Sequence, residues 1–507
     1  MANFSWLDYT IFGVYLVASV AIGLFSARGQ ETMKDYFLAG QKMNRFVVAI
    51  TIFAALFSGI SYLAGPAEVY KNGFAFALIA LSFFIATPFT TLYLLPFFYN
   101  SRYFTAYHYF QERFSLPVRH MASGLFIFRI LLWLAAATYA PALALKQVTG
   151  MPLWFTILCT GSVTTIYTVF GGMKAVIWTD VLQFFVLLGG QLLIVGLAAS
   201  MIPGGLAGVW DTAVADGRFN VSFSFDPRER VTFWGLIIGG AFLSLVQMAT
   251  DQVSVQRYLT AGSLRDARRS LWIKLWMVLP VLFLFYGTGL VLYAFYKQHG
   301  DPIAAGFIDK DKVDQILPFF VVTQLPDGLP GLLIAAIFAA SMSTTSAGIN
   351  SLTSATLCDF YQTLSSPDKL TERSLLRLAR WYTLLFGVLV TALAFAVASM
   401  KGNLVQSVNA IIGLIGGPML GLFFLGMFTK RANTKGALIG CLAGFVAVLG
   451  LYLQELYVSS LPPEAAGGQK PWVSFLWYTM IGTFITMGVG WLTSSRSASP
   501  SAPHQSP

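Results

Sequence analysis

Small hydroxyl-bearing residues crowd one stretch of an otherwise apolar segment, residues 340–346, which reads ASMSTTS. In a helix, Ala340, Ser343 and Thr344 share one face through their i, i+3 and i+4 spacing, and Ser346 follows one step further. A main-chain carbonyl and two neutral hydroxyl oxygens on one face are suitable ligands for a sodium ion. Close helix packing through small side chains produces the same pattern in membranes, so this segment alone leaves a packing role open.

A second unusual stretch, residues 51–68, interrupts an apolar helix with small, polar and helix-breaking residues. These are Ser58, Gly59, Ser61, Gly65 and Pro66. Glycine and proline weaken the helical hydrogen bonds and free main-chain carbonyls to bind something else. Broken helices at membrane depth are a common place for ion and solute sites. A kink filled by neighbouring helices is the alternative.

Two charged residues, Arg129 and Asp180, fall inside predicted apolar spans. A charge at membrane depth is costly, so it indicates either a functional site or pairing with a neighbour. Glu68, Lys146 and Lys274 lie nearer the predicted helix ends, and we predict that they are solvated or interfacial.

The composition identifies the elements that must hold these residues. Of 507 residues, 56% are hydrophobic and only 11% are charged, which is too apolar for a soluble core and predicts an all-α polytopic membrane protein. Apolar runs of about 20 residues are long enough to cross a bilayer as helices. We predict thirteen spans, at residues 8–26, 46–64, 74–98, 118–145, 152–170, 177–202, 229–250, 272–296, 330–361, 376–398, 403–427, 434–455 and 472–495.

The distribution of positive charge predicts the orientation. The net charge is +10, and about twice as many of the 32 Lys and Arg residues fall in one set of loops as in the other. The richer side should be cytoplasmic, which places the amino terminus outside and the carboxy terminus in the cytoplasm. The charge therefore indicates orientation in a lipid bilayer, and no nucleic-acid partner is expected.

Four blocks in order along the chain resemble the signatures of the solute:sodium symporter family. They are residues 35–40 (DYFLAG), 167–175 (YTVFGGMKA), 251–257 (DQVSVQR) and 426–437 (GMFTKRANTKGA). The resemblance covers nearly the whole chain. Cys159 and Cys441 stand where that family usually has other small or aliphatic residues, and neither lies at a proposed site.

The resemblance implies the leucine-transporter fold, in which two inverted repeats of five helices follow a leading helix. The leading helix would lie within residues 1–28, the repeats would span 46–202 and 229–427, and two trailing helices would occupy 434–495. Residues 496–507 should form a disordered cytoplasmic tail. The first helix of each repeat should be broken, once within 58–66 and once within 239–247.

The resemblance also implies the ligands of a sodium ion. They are the main-chain carbonyls of Ala54, Phe57 and Ala340 with the hydroxyls of Ser343 and Thr344. Asp180 and Ser346 would belong to a second sodium site, although Ala347 stands where related proteins have a further serine. Alternatively, Asp180 would couple the cytoplasmic gate to sodium through hydrogen bonds.

For the solute, the resemblance indicates Ser58, Ser61 and Arg129, and the second break adds Gln247. An arginine can bind a carboxylate through two N–H donors, so we expect a sialic acid, sugar acid or monocarboxylate. A neutral sugar, an amino acid or a vitamin remains open.

The expected activity is sodium-coupled symport by alternating access, carried out by a monomer in the cell membrane with Na+ as its only ion. A sodium-independent facilitator or channel is the alternative. Arg129 and Asp180 alone are too few titratable groups for an enzyme active site.

Overall fold

The computed structural model describes residues 4–100, 103–309, 312–365, 371–399, 404–461 and 470–494. Helices make up most of these ranges, and extended pairing within them is limited to an isolated bridge between Met43 and Ala261. Nine of the helices found there are long and apolar enough to cross a membrane, or up to eleven if each of two bent helix pairs is one span. The predicted all-α polytopic class is confirmed.

Fourteen helical segments are used below. They are α1 Trp6–Ser26, α2 Arg45–Leu56, α3 Gly59–Asn72, α4 Phe74–Asn100, α5 Leu116–Thr149, α6 Leu153–Ser200, α7 Gly235–Thr250, α8 Gln252–Tyr258, α9 Leu264–His299, α10 Leu329–Leu364, α11 Glu372–Ser399, α12 Leu404–Phe428, α13 Thr434–Ser460 and α14 Phe475–Thr493.

The count of thirteen spans stays a prediction. Helix α6 contains 48 residues and covers two predicted spans, 152–170 and 177–202, on either side of an irregular Gly172. The predicted span 403–427 corresponds to α12. Within α12, Gly413–Phe428 forms a shorter apolar helix. The predicted cytoplasmic tail, 496–507, lies outside the described residues.

The irregularity inside α6 depends on glycine. Gly172 has φ 50° and ψ −149°, a conformation that side chains with a Cβ rarely adopt. A Cβ at this position would lie 2.7 Å from the carbonyl oxygen of Tyr36, in the short helix Met33–Leu38. The chain can therefore turn here and pack closely only because position 172 is glycine.

We expect Gly172→Ala to lower the midpoint of thermal unfolding in detergent, because it combines a strain of about 1–3 kcal/mol with a steric clash. Gly189→Ala is the matched control, since it lies in the same helix and a Cβ there would have no packing neighbour within 4 Å. Equal midpoints for the two variants would show that the conformation of Gly172 is not required.

Both bent helix pairs are broken by extended backbone. Helices α2 and α3 meet at 66° across Phe57 and Ser58, and α7 and α8 meet at 61° across Asp251. Phe57 has φ −95° and ψ 107°, and the Ser58 hydroxyl then caps α3 by accepting a hydrogen bond from the Ser61 N–H at 3.2 Å. Asp251 has φ −86° and ψ 117°, and its carboxylate caps α8 through the Val253 N–H at 3.0 Å.

The two predicted break positions need correction. The first break is at Phe57 and Ser58, whereas Gly65 and Pro66 lie inside α3. The second break was predicted within 239–247 and occurs at Asp251. Gly239 instead allows close packing, because a Cβ there would lie 2.2 Å from the Leu476 carbonyl oxygen.

Two basic side chains are more deeply enclosed than predicted. Lys274, expected at an interface, is fully buried, with its ammonium 4.0 Å from the centre of the Phe83 ring. Arg257, which falls between the predicted spans 229–250 and 272–296, is also fully buried. Both errors arose because the distance of a residue from a predicted helix end does not determine what packs over it. Lys146 is exposed, as predicted.

Candidate functional site

The first break and the hydroxyl-rich helix α10 meet inside the protein. The hydroxyl oxygen of Thr344 lies 3.2 Å from the carbonyl oxygen of Phe57 and 3.1 Å from that of Ala340. The Phe57 N–H donates to the carbonyl of Ala54 at 3.2 Å, which closes the last turn of α2. A hydroxyl has one proton and cannot donate to both carbonyls at once. These oxygens therefore form a cluster that is rich in acceptors and suited to a small cation.

Ser343 supplies a further oxygen beside this cluster. Its hydroxyl donates to Oδ1 of Asp180 at 2.6 Å, which leaves its lone pairs available to an ion. Ala54, Phe57, Ala340, Ser343 and Thr344 are all buried. The structure brings these five predicted residues together at one junction of α2, α3 and α10.

Asp180 of α6 joins three other helices. Its Oδ2 accepts from the hydroxyl of Thr51 in α2 and from Nη2 of Arg257 in α8, the latter at 3.1 Å. Nε of Arg257 also donates to the carbonyl and the hydroxyl oxygen of Thr51, at 3.1 and 3.0 Å. With Ser343 on Oδ1, one carboxylate connects α2, α8 and α10. Removing any of these partners would leave charge or polarity unsatisfied in the interior.

Ser346, the other residue predicted for a second sodium site, lies three positions after Ser343 in α10. Its hydroxyl donates to the carbonyl of Ser343 at 3.1 Å. Both oxygens of Asp180 are already engaged, and Arg257 supplies the positive charge that a second sodium would bring. Hydroxyl and carboxylate oxygens keep lone pairs when they take part in such hydrogen bonds, so the second sodium site and the coupling role of Asp180 both stay predictions.

Sequence reasoning did not identify Arg257 as a partner of Asp180, and it also missed the polar face of α8 on which Arg257 lies. Gln256 donates to the Phe37 carbonyl and to Asn350 Oδ1, both at 2.8 Å, and accepts from the Ser351 hydroxyl at 3.0 Å. Gln252 donates to the Phe104 carbonyl at 2.7 Å. The available signal was the DQVSVQR block, whose amides and arginine recur at helical spacing in a segment of low exposure.

The predicted solute residues divide between the two breaks. Ser58 and Ser61 lie at the first, with their hydroxyl oxygens 3.2 Å apart. Ser58 is buried and Ser61 is partly exposed. Next to them, a Cβ on Gly59 would lie 3.3 Å from the Ile337 carbonyl oxygen and 3.5 Å from Cδ of Pro141, so this turn fits between α10 and α5.

Arg129 lies at the second break. Its Nη2 lies 2.6 Å from Oδ2 of Asp251, the residue that separates α7 from α8. Within the part of the chain that the structure describes, Nε and Nη1 have no hydrogen-bond partner, and neither is fully enclosed. Asp251 therefore holds the guanidinium through one nitrogen and leaves other donors available. Gln247, four residues before Asp251, is partly exposed, and its side-chain amide likewise makes no hydrogen bond to any described residue.

The two groups of predicted solute residues lie at different positions along α5. Ala137 lies beside the first break, since its carbonyl accepts a hydrogen bond from Ser341 of α10, and a Cβ on Gly59 would lie 3.3 Å from Cβ of that serine. Arg129 precedes Ala137 by eight residues in α5, which corresponds to about 12 Å along the helix. A solute would have to extend between them to contact both.

A third buried ion pair lies near the start of α5. Nη2 of Arg119 is 2.7 Å from Oδ1 of Asp359, a carboxylate that also accepts from the hydroxyls of Thr105 and Ser123. A cavity of about 410 Å³ adjoins this pair. Its lining includes Tyr103, His108, Gln111, Cys358 and Gln362. Arg119 falls at the start of the predicted span 118–145, and its enclosure becomes evident only from the packing.

Comparison with known proteins gives consistent results. The sequence profile of the Sodium:solute symporter family matches residues 36–444. The human Sodium-coupled monocarboxylate transporter 1 is 37% identical over 461 residues, covering 90% of this chain and 74% of that protein. The Putative sodium-dependent multivitamin transporter of Drosophila melanogaster is 35% identical over 534 residues, covering 97% and 87%.

Among solved structures, the substrate-bound outward-open state of a Na+-coupled sialic acid symporter matches with a TM-score of 0.86 and 29% identity, covering 98% of this chain and 99% of that one. Mhp1, a nucleobase-cation-symport-1 family transporter in a closed conformation, matches with a TM-score of 0.53 and 14% identity, covering 91% and 94%, which shows a likeness of fold alone. These likenesses confirm the leucine-transporter fold class.

Proposed function

Because this chain belongs to the sodium:solute symporter family, it is a sodium-coupled transporter and not an enzyme, and we propose that its solute is a small carboxylate. The observation that carries the proposal is the pair of unused donors on Arg129 at the second break. A guanidinium can bind a carboxylate through two parallel N–H donors. The names of the relatives support the same class, since they include monocarboxylate and sialic acid transporters. A monocarboxylate is the preferred solute, and a vitamin is the next candidate.

For sodium, we propose the ligands predicted from the sequence, namely the carbonyls of Ala54, Phe57 and Ala340 with the hydroxyls of Ser343 and Thr344. The Thr344 hydroxyl, placed between two of these carbonyls, supports the proposal most directly. A sodium ion would take over the acceptors that this hydroxyl now contacts. Five neutral oxygens would bind the ion weakly enough for release on the cytoplasmic side.

The proposed sodium ligands lie on separate elements, the α2–α3 break and α10, and such an arrangement suits alternating access. Sodium entering from outside would hold the α2–α3 break against α10 and favour solute binding, and loss of this contact would accompany inward opening. Each sodium that crosses supplies about 2.3 kcal/mol per 100 mV of membrane potential. Asp180 would transmit sodium binding, because Ser343, Thr51 and Arg257 all depend on its carboxylate.

The organisation of the chain completes the proposal. The two bent pairs fall near the start of the proposed repeats, 46–202 and 229–427, as expected for the first helix of each repeat. Residues 1–28 would be the leading helix and 434–495 the trailing pair. We place the amino terminus outside, the carboxy terminus in the cytoplasm and the protein in the cell membrane as a monomer.

We expect Thr344→Ala and Ser343→Ala each to raise the sodium concentration that gives half-maximal thermal stabilisation and half-maximal uptake by at least about tenfold. Each variant removes one oxygen ligand from a site that binds sodium weakly. Purified protein is melted across a NaCl series at constant ionic strength, balanced with choline chloride. Uptake into proteoliposomes is then measured across the same series with a panel of monocarboxylates, sialic acid, biotin, sugars and amino acids.

Thr353→Ala is the matched control, because it also removes a buried hydroxyl from α10 but lies more than two turns from the cluster. An unchanged sodium requirement in both Ser343→Ala and Thr344→Ala would remove the proposed cage. Uptake that is the same in sodium and in choline would indicate a facilitator instead.

A further inference from the structure

A buried carboxylate in the first turn of α1 lies far along the sequence from the sodium ligands. Asp8 is fully enclosed by the protein. Its Oδ2 accepts from the N–H and the hydroxyl of Ser5, at 2.9 and 2.7 Å. Its Oδ1 accepts from the main-chain N–H groups of Gly328 at 2.9 Å and Gly331 at 2.7 Å. One side chain therefore caps both its own helix and the start of α10.

The start of α10 is shaped to receive this carboxylate. Gly328, directly before the helix, has φ +92°, which favours glycine. A Cβ on Gly331 would lie 2.5 Å from both Cα and the carbonyl oxygen of Asp8, so only glycine permits this approach. The first N–H groups of a helix have no partner within it, and this end of the helix dipole favours negative charge.

The same face of α1 continues to follow α10 toward the sodium ligands. Asp8, Phe12 and Tyr15 recur at i, i+4 and i+7, which places them on one face. The Phe12 ring packs against Phe338 with ring centres 4.9 Å apart, and the Tyr15 hydroxyl lies 3.6 Å from Sδ of Met342. Met342 directly precedes Ser343 in the sequence.

We propose that Asp8 is a positioning residue for the sodium site. By anchoring the outer end of α10, it would set the height of Ser343 and Thr344 relative to the carbonyls at the α2–α3 break. Thr344 follows Gly331 by thirteen residues, about 20 Å along a stiff helix, so a shift at the anchor displaces both hydroxyls together. This inference rests on the proposed sodium ligands and assigns a role to the leading helix, which supplies none of them.

The test uses NaCl alone as the probe. The melting temperature of the purified full chain is measured in NaCl and compared with that in choline chloride, and the half-effective NaCl concentration is the one that gives half of the maximal rise. We expect Asp8→Ala to raise the half-effective NaCl concentration by about tenfold, the lower end of what loss of a group that orients metal ligands causes. Asp8→Asn should have a smaller effect, because its amide oxygen still accepts both N–H groups. Gly331→Ala, which keeps the carboxylate but pushes the helices apart, should reproduce the shift.

Asn433→Ala is the control variant. Asn433 caps α13 by accepting from the Gly436 N–H at 2.9 Å, and α13 contributes no proposed sodium ligand. Its loss should lower the melting temperature in choline without moving the half-effective NaCl concentration. A structural role of Asp8 alone would give that same pattern, and it would overturn the inference.

A double-mutant cycle separates this inference from the proposed sodium site. In a Thr344→Ala background, Asp8→Asn should have less effect on the NaCl requirement than in the wild type, because the two changes act on one site. If Thr344→Ala moves the sodium requirement and the Asp8 and Gly331 variants do not, only the positioning role fails. If neither moves it, the proposed cage fails. Should Asp8→Ala not fold, Asp8→Asn and Gly331→Ala decide the question on the same measurement.

Discussion

Replacing Arg257 with methionine is expected to abolish sodium-coupled uptake and to destabilise the protein by about 3–5 kcal/mol, the cost of removing one partner from a buried ion pair. Both side chains of the pair are fully buried, and Nη2 of Arg257 lies 3.1 Å from Oδ2 of Asp180. Without Arg257, the Asp180 carboxylate keeps only hydroxyl donors in a water-poor interior. Thermal unfolding and sodium-driven uptake are the two measurements.

A charge-cancelling double variant makes this prediction specific. Asp180→Asn with Arg257→Met removes both charges, so it should recover most of the lost thermal stability. It should not recover the wild-type sodium requirement, because a neutral amide accepts from the Ser343 hydroxyl less strongly than the carboxylate does, and methionine cannot replace the hydrogen bonds from Arg257 to Thr51. If the double variant restores sodium coupling completely, Asp180 has only a structural role.

The surface pair between Arg230 and Glu68 provides the control for Arg257. Its two nitrogen–oxygen distances are 2.7 and 2.9 Å, yet the Arg230 side chain is exposed. Exposed pairs contribute about 0–1 kcal/mol, so Arg230→Met should leave stability nearly unchanged. If Arg230→Met lost as much stability as Arg257→Met, burial of the ion pair would not explain the destabilisation.

Arg129→Ala is expected to reduce the affinity for a carboxylate solute by at least about thirtyfold, as truncation of a buried charged partner costs about 2 kcal/mol or more. Uptake of the best solute from the panel is measured at saturating sodium. The thermal stabilisation by NaCl alone should be retained, because Arg129 contacts none of the proposed sodium ligands. Arg129→Lys should recover only part of the affinity, since an ammonium lacks the planar pair of donors.

Asp251→Asn distinguishes a solute-binding arginine from a purely structural one. If Arg129 serves only its ion pair, Arg129→Ala and Asp251→Asn should impair uptake in the same way. If Arg129 binds the solute, Asp251→Asn leaves the guanidinium in place and should retain affinity. A solute that binds equally well to the wild type and to Arg129→Ala, such as a neutral sugar, would contradict the carboxylate proposal.

Much of the fold and part of the site could be predicted from local features of the chain. Apolar runs of membrane-spanning length predict helices, because every backbone polar group must be satisfied within the bilayer. The spacing of Ala340, Ser343 and Thr344 predicts a common face in the same way, since helical periodicity is a local property. The order of the four signature blocks led to the family.

Other features depended on tertiary structure. The second break could not be placed, because glycine serves close packing at Gly239 and a capping carboxylate ends the helix at Asp251. The enclosure of Lys274 and Arg257 could not be predicted either, because it depends on which helices pack over them. The positions of charged residues along a chain indicate where most loops lie, but they do not reveal which individual charged side chains are buried.

The sequence by itself determined the class of protein, its helices and the residue types able to bind sodium, because these follow from composition and from periodicities of a few residues. Only the tertiary structure decided which side chains contact one another. Arg257 meets Asp180 from 77 positions away, and Thr344 meets Phe57 from 287. Pairings of that kind depend on how whole helices pack, and one buried carboxylate can accept several donors, so no local pattern selects among them.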